Sequence, residues 1–313
     1  MSQISITNDN PKVHVIYQGH KKPITGISFN PNNQQFATSS QDHNVMIWTK
    51  WNDSTRNGPT YQFSGHKDVV TCVDFSPNCS LLASSSKDHT VRLWVPTILG
   101  KSREFIAHTS SVNTVNFLFD GLKLITGSND KSIKLWDTET GQFIASYLGH
   151  NNWVRSAKFS PLGNMIVSCS DDKTVRIWDT VSRELVHSFH GVKNSPNSIA
   201  LHSNNNTIAV AMNSGSVRIY DIRNKKIQQH YHAHDNATCV DWHPKANYLL
   251  SGGLDGKVKV IDIMEGRPLY TLNSEGSIAY CKFSCDGDFF ALTRNDYKDK
   301  IIEVWKTNFI SYI

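Results

Sequence analysis

Four stretches of this 313-residue chain repeat one plan: ATSSQDHNVMIW (Ala37 to Trp48), LLASSSKDHTVRLW (Leu81 to Trp94), ITGSNDKSIKLW (Ile125 to Trp136) and VSCSDDKTVRIW (Val167 to Trp178). The closing tryptophans Trp48, Trp94, Trp136 and Trp178 are nearly evenly spaced, and the same step continues to Tyr220, Ile261 and Trp305. Seven such units account for the chain. A second mark stands upstream of the closing segment in five of them, at Gly19-His20, Gly65-His66, Ala107-His108, Gly149-His150 and Ala233-His234.

A period of about 40–45 residues with Gly-His at one end and Trp-Asp at the other is the signature of a propeller blade built from four antiparallel strands. Local patterns agree: VVTCVDFSP, LLASSS and TVRLW are short and rich in Val, Ile, Leu and aromatics, and Asn-Pro, Ser-Pro, Asp-Gly and Asp-Lys turns separate such runs. No segment keeps a helical period. In GHKDVVTCVDF the apolar positions Val70, Val73 and Phe75 change parity, which predicts a one-residue bulge where the inner strand begins. The expected fold is therefore all-β, a single seven-bladed propeller with repeats near 19–58, 65–100, 107–142, 149–184, 191–226, 233–267 and 274–313. Lone sheets leave edge strands unpaired, so residues 12–18 are expected to supply the outermost strand of the last blade and lock the ring.

The clustered Ser, Asp and His of each unit have a catalytic look that their multiplicity removes. His66, Ser84, Asp88 and Trp94 recur as His20, Thr38, Asp42 and Trp48, as His108, Thr126, Asp130 and Trp136, and as His150, Ser168, Asp172 and Trp178. A carboxylate accepting from a buried imidazole that in turn meets a hydroxyl satisfies several polar groups inside a dry sheet. A catalytic group is not made in four copies around one ring, so these residues are assigned to a structural network. No GxSxG elbow, Walker-type GxxxxGK, strand-linked GxGxxG or HExxH is present, and no enzyme, small-molecule substrate, cofactor or metal site is expected. The fifth unit, with Ser214 in place of the turn Asp, and the seventh, without its histidine, cannot build this network.

The formal charge of +5 comes from dispersed basic residues, which permits an acidic partner but does not indicate nucleic acid. No secretory leader and no apolar run of bilayer-spanning length is present, so the expectation is an intracellular chain without membrane insertion, with Cys72, Cys79, Cys169, Cys239, Cys281 and Cys285 as free thiols. Propellers bind through the loops above the channel. Candidate contact positions beside the bulge and before the turn Asp are Trp153, Arg155, Lys87, Asn129, Asp171 and Lys298. Trp153 is the outlier, because Pro23, Val69 and Ser111 hold the same offset elsewhere.

Seven segments carry a closer resemblance: GHKDVVTCVDFSP (Gly65 to Pro77), LLASSSKDHTVRLWVP (Leu81 to Pro96), NWVRSAKFSP (Asn152 to Pro161), SCSDDKTVRIWD (Ser168 to Asp179), SRELVHSF (Ser182 to Phe189), EGRPLYTL (Glu265 to Leu272) and VWKTNF (Val304 to Phe309). On them the chain resembles the proteome of centriole protein one family, WD40 proteins of centrioles and basal bodies. That resemblance implies a scaffold that supports triplet microtubules, centriole length and cilium formation, in the cytoplasm and cytoskeleton, with tubulin or centriolar wall proteins as partners. Family members also carry a linker and a carboxy-terminal coiled coil, whereas this sequence stops at Ile313; a propeller domain cut from a longer protein and a natural form without that segment both stay open. The alternative is a WD40 adaptor of another assembly, such as a ubiquitin ligase or an RNA-processing complex.

Overall fold

A computed structural model describes residues 11–49, 58–97, 102–190, 194–294 and 300–307. The described residues form 28 strands in seven antiparallel four-stranded sheets and no helix, so the chain is a seven-bladed β-propeller. Blades 1 to 6 each take four consecutive strands. Blade 7 takes three from the carboxy end (Ile278–Phe283, Phe289–Arg294 and Ile301–Lys306), and its outer strand is Lys12–Gln18 from the amino end. That strand pairs Val13 with Trp305 and Tyr17 with Ile302, with one bulge between Val13 and Val15.

The core is not central. It lies between facing sheets, as seven apolar layers each shared by two neighbouring blades. Ala37, Val45, Ile47 and Phe63 of blade 1 pack on Val70, Val73, Phe75, Leu82 and Trp94 of blade 2. The last layer joins Tyr17, Ala291, Ile302 and Val304 of blade 7 to Ile24, Phe29, Phe36 and Trp48 of blade 1. Each fully buried side chain of this size contributes about 1.5–3 kcal/mol, and no sheet can bury both its faces alone.

The first strand of every blade lines the channel, and every one carries the bulge, at Ile24/Gly26, Val70/Cys72, Val112/Thr114, Val154/Ser156, Pro196/Ser198, Ala237/Cys239 and Ile278/Tyr280. The skipped residue sits at the upper end of the channel and reaches the next blade. Thr25 Oγ1 donates to the Val70 carbonyl at 2.6 Å, Thr71 Oγ1 to Val112 at 2.5 Å, Asn113 Nδ2 to Val154 at 2.7 Å, Asn197 Nδ2 to Ala237 at 2.8 Å and Thr238 Oγ1 to Ile278 at 2.9 Å. Lower in the channel the direction reverses. Ser28 Oγ accepts from the Phe75 N–H at 3.1 Å, Asp74 from Phe117 at 3.0 Å, Asn116 from Phe159 at 2.9 Å and Asp241 from Phe283 at 2.9 Å. These bonds satisfy backbone groups that an innermost edge strand would otherwise leave open. Blades 4 and 7 break both tiers, because they place Arg155 and Ala279 above and Lys158 and Lys282 below.

Candidate protein interface

Beneath the upper loops each of the first four blades carries the same hydrogen-bonded chain. In blade 2 the Trp94 indole donates to Ser84 Oγ at 2.8 Å, Ser84 Oγ meets His66 Nε2 at 2.7 Å, and His66 Nδ1 meets Asp88 at 2.9 Å. An indole only donates, so the serine oxygen accepts from it and gives its own proton to Nε2; Nδ1 then carries the imidazole proton toward the carboxylate. The direction of the chain is set by its tryptophan. Blade 1 repeats it with Trp48, Thr38, His20 and Asp42 at 2.9, 2.8 and 2.9 Å. Blade 3 does so with Trp136, Thr126, His108 and Asp130 at 2.9, 2.7 and 2.8 Å, and blade 4 with Trp178, Ser168, His150 and Asp172 at 2.8, 2.8 and 2.7 Å.

The aspartates also collect backbone donors: Asp42 accepts from the N–H groups of Lys21 and Asn44, at 2.9 and 3.0 Å. Burial by itself raises its pKa, but the His20 hydrogen bond and charge together with these two amides outweigh burial and hold the carboxyl down at about 2. Asp88, Asp130 and Asp172 are held well below the usual carboxylate range by the same opposition, with Thr90, Ser132 and Thr174 hydroxyls added. The residue after each aspartate, His43, His89, Lys131 or Lys173, takes a positive φ of 64–72° to make the turn. The network therefore clamps two loops at one blade edge, with every hydroxyl and ring nitrogen engaged and no free nucleophile left over.

The remaining blades depart from this plan in three ways. Blade 6 builds the His–Ser–Asp part from His234, Ser251 and Asp255, at 2.9 and 3.0 Å, and omits only the tryptophan, whose place Ile261 takes. Its Ser251 and Asp255 escape a sequence reading keyed on the closing aromatic. In blade 5, Val210 takes the hydroxyl's place and the Tyr220 hydroxyl has Arg218 as its neighbour in place of that network, while Ser214 bonds Ser216 at 3.0 Å. Blade 7 substitutes a different device: Arg294 pairs with Glu303 inside the sheet, and Glu303 accepts from the Trp305 indole at 3.0 Å. Nothing in the spacing announced that pair, since it depends on the register of two strands.

On the upper surface the bulge residue of blade 4 is Arg155, and it leaves the channel tier to clamp Asp171 through two hydrogen bonds, at 2.8 and 2.6 Å. Its guanidinium lies 5.3 Å from the centre of the Trp153 ring, and Trp153 is 45% exposed. Three of the sequence candidates thus come together in one cluster on one blade. Asn129 belongs instead to the channel rim of blade 3, where its side chain accepts from Asn113 at 2.7 Å. Lys87 is exposed on blade 2, with its N–H on the Val69 carbonyl at 2.9 Å. Lys298 lies outside the described residues. Among the described residues no group of three His, Cys, Asp or Glu side chains is placed to hold a metal, and no helix is long and apolar enough to cross a membrane.

Among the described residues the charge on this face is uneven. Lys21, Lys22, Lys67, Lys87, Lys131 and Lys173 are exposed on the upper loops of blades 1 to 4, against Asp68. Among the described residues of blades 5 to 7 the exposed charges of these loops are Asp235, Glu275 and Lys257. A cluster of aromatic and guanidinium groups beside an arc of ammonium groups is suited to hold a protein surface, with the aromatic as anchor and the charges as steering.

No curated protein matches the chain. The family model described as WD domain, G-beta repeat matches it six times, over residues 11–49, 57–95, 100–137, 141–179, 183–221 and 225–262. The stretch left unmatched is the seventh unit, whose network is replaced by the Arg294–Glu303 pair. Propellers of this kind are generally non-enzymatic scaffolds or adaptors for other proteins, and the chain belongs to the WD40 repeat family.

Proposed function

We propose that this propeller is a scaffold of centrioles and basal bodies, and that it supports triplet-microtubule stability, centriole assembly or length and cilium formation by binding tubulin or centriolar wall proteins. The observation that carries protein binding is the Trp153–Arg155–Asp171 cluster, a half-exposed aromatic ring beside a guanidinium that two hydrogen bonds hold in place. Clamping by Asp171 removes side-chain freedom before any partner arrives, which lowers the cost of ordering the contact. The centriolar assignment draws its support from the sequence resemblance, above all from Val95-Pro96 after the second closing tryptophan and from HNNWVRSAKFSP. The lysine arc of blades 1 to 4 favours an acidic surface such as that of tubulin.

A tagged copy expressed in a ciliated cell tests this. Fluorescence concentrated at basal bodies is the expected result; a tagged protein that is folded and absent from them overturns the centriolar reading and leaves the family-level role of a protein adaptor.

A further inference from the structure

At blade 4 the channel wall changes its chemistry. Blades 1, 2, 3 and 6 present an acceptor to the next blade's backbone at the lower tier, whereas blade 4 presents the Lys158 ammonium. Among the described residues Lys158 makes no hydrogen bond and no ion pair at bonding distance. Ser156, two positions before it, and Ser198 on the first strand of blade 5 are both buried, and neither hydroxyl has a hydrogen-bond partner among the described residues. Lys282 enters from blade 7, with its ammonium 3.8 Å from Asp74.

These groups line one chamber in the channel, of about 210 Å³, together with Asn113, Asn116 and Asn197. A second space of about 200 Å³ below it shares Lys158 and Asn116 and is lined further by Phe119 and Pro161, so Lys158 borders both spaces. Phe119 is 60% exposed, which puts the lower space at the surface and gives a route to the ammonium.

The acidic groups nearby are already engaged. Asp74 accepts from the Ser28 hydroxyl at 3.1 Å, the Asn116 amide at 2.9 Å and the Phe117 N–H at 3.0 Å, besides facing Lys282. Asp241 accepts from the Phe283 N–H at 2.9 Å; burial pushes its pKa up, against the charges of Lys158 and Lys282, and it makes no ion pair with either at bonding distance. The groups without a protein partner in the chamber can all donate: an ammonium and two hydroxyls, with a second ammonium across the space. Cations and donors that converge on one space favour an anion, which accepts hydrogen bonds from all of them and offsets their mutual repulsion.

We propose that this chamber binds a small tetrahedral oxyanion, inorganic phosphate or sulfate, held by Lys158 and Lys282 and by the hydroxyls of Ser156 and Ser198. The anion would stand in for the missing lower-tier acceptor of blade 4. Burial and the neighbouring Lys282 push the Lys158 pKa down, and a bound anion acts against both.

The test is thermal unfolding of the full chain in sodium phosphate and in sodium chloride of equal ionic strength, with titration calorimetry of phosphate alongside. The expected result is a melting temperature a few degrees higher in phosphate, saturating with concentration, and a calorimetric isotherm of one site per chain. Phosphate also raises stability by exclusion from protein surfaces. The Lys158→Met variant separates the two effects: it loses the saturable part and the calorimetric heat, and keeps the rest. If that variant does not fold, the double variant Ser156→Ala with Ser198→Ala serves, with an affinity for phosphate at least tenfold weaker. A flat calorimetric trace for the native protein, or an unchanged isotherm in the folded variant, overturns the site; sulfate competing with phosphate supports it.

Discussion

Tyr17 and Trp48 come from the last and first blades, and their ring centres lie 5.5 Å apart, with Phe36 of blade 1 at 5.2 Å from Tyr17. Tyr17 is fully buried, and burial pushes its phenol up to about 12. Ring closure thus rests on one short strand that brings both hydrogen bonds and an aromatic contact. Tyr17→Ala is expected to cost about 3–5 kcal/mol through the cavity it leaves. Removal of residues 12–18 exposes the edge of Ile301–Lys306 as well, and should lower the melting temperature by more than Tyr17→Ala does. Urea and thermal unfolding curves check both, and an unshifted melt for the deletion would sink the closure role.

The chain from Trp94 to Asp88 predicts coupled losses. Ser84→Ala and His66→Phe each strand a buried donor or acceptor, at about 1–3 kcal/mol apiece. Because both break the same chain, the double variant should lose clearly less than the sum. A double-mutant cycle on urea midpoints measures the coupling, and additive losses would show that the four groups do not act as one network.

Acid should weaken the propeller in a defined window. Asp42 titrates near 3.9 when unfolded and is held at about 2 when folded. A carboxyl with a depressed folded pKa gives stability that is present above pH 4 and lost as pH falls toward 2. Burial lowers the pKa of His108 and His234, and a histidine held neutral by folding likewise gives stability that is present above about 6.5 and lost below it. The expected profile falls from pH 7 downward with its steepest part below pH 4, and Asp42→Asn removes part of that steep limb. Denaturant midpoints across pH 2 to 8 test it.

Much of this was legible in one sequence because the signals are local. His66, Ser84, Asp88 and Trp94 fall within a single repeat, and repetition makes their spacing readable. The parity change at Val70 and Val73 announced the bulge for the same reason, and the structure repeats it in all seven blades. The two channel tiers were not legible. Each of their bonds joins residues 40 to 47 positions apart, so they exist only once neighbouring blades meet. Trp153, Arg155 and Asp171 could be named one by one, yet their assembly depends on the bulge turning Arg155 across the strand toward Asp171.

Blade 7 offers a sharper test of what holds a blade without the histidine. Arg294→Met leaves Glu303 buried beside the Trp305 indole with its cation gone, at about 3–5 kcal/mol. Arg294→Met with Glu303→Leu removes both charges and should recover most of that loss. If the double variant is no more stable than the single one, the pair is not the element that replaces the network. Differential scanning calorimetry of the two variants decides it.

The upper-face cluster predicts a separation of binding from folding. Trp153→Ala with Arg155→Glu removes the exposed ring and places a carboxylate against Asp171, and should weaken partner capture from centriolar extract at least tenfold. Its melting temperature should stay within a few degrees of the native value, since both side chains are half-exposed. Unchanged capture would remove this cluster from the interface.

The missing tiers at blades 4 and 7 also decide how the ring carries load. The seams from blade 1 through blade 4 each hold an upper and a lower bond, so these four blades resist shear as a single stiff arc. The seam from blade 7 to blade 1 lacks both tiers but is backed by the Tyr17, Phe36 and Trp48 rings. The seam from blade 4 to blade 5 also lacks both tiers and is backed by the apolar layer of Val167, Ile177, Ile199 and Val210, by the Phe189 and Tyr220 rings at 4.6 Å, and by the Asn205 amide on Asn164 at 3.4 Å. The stiff arc is therefore bounded by two seams, 7 to 1 and 4 to 5, whose opening widens the bore without breaking a hydrogen bond of either channel tier.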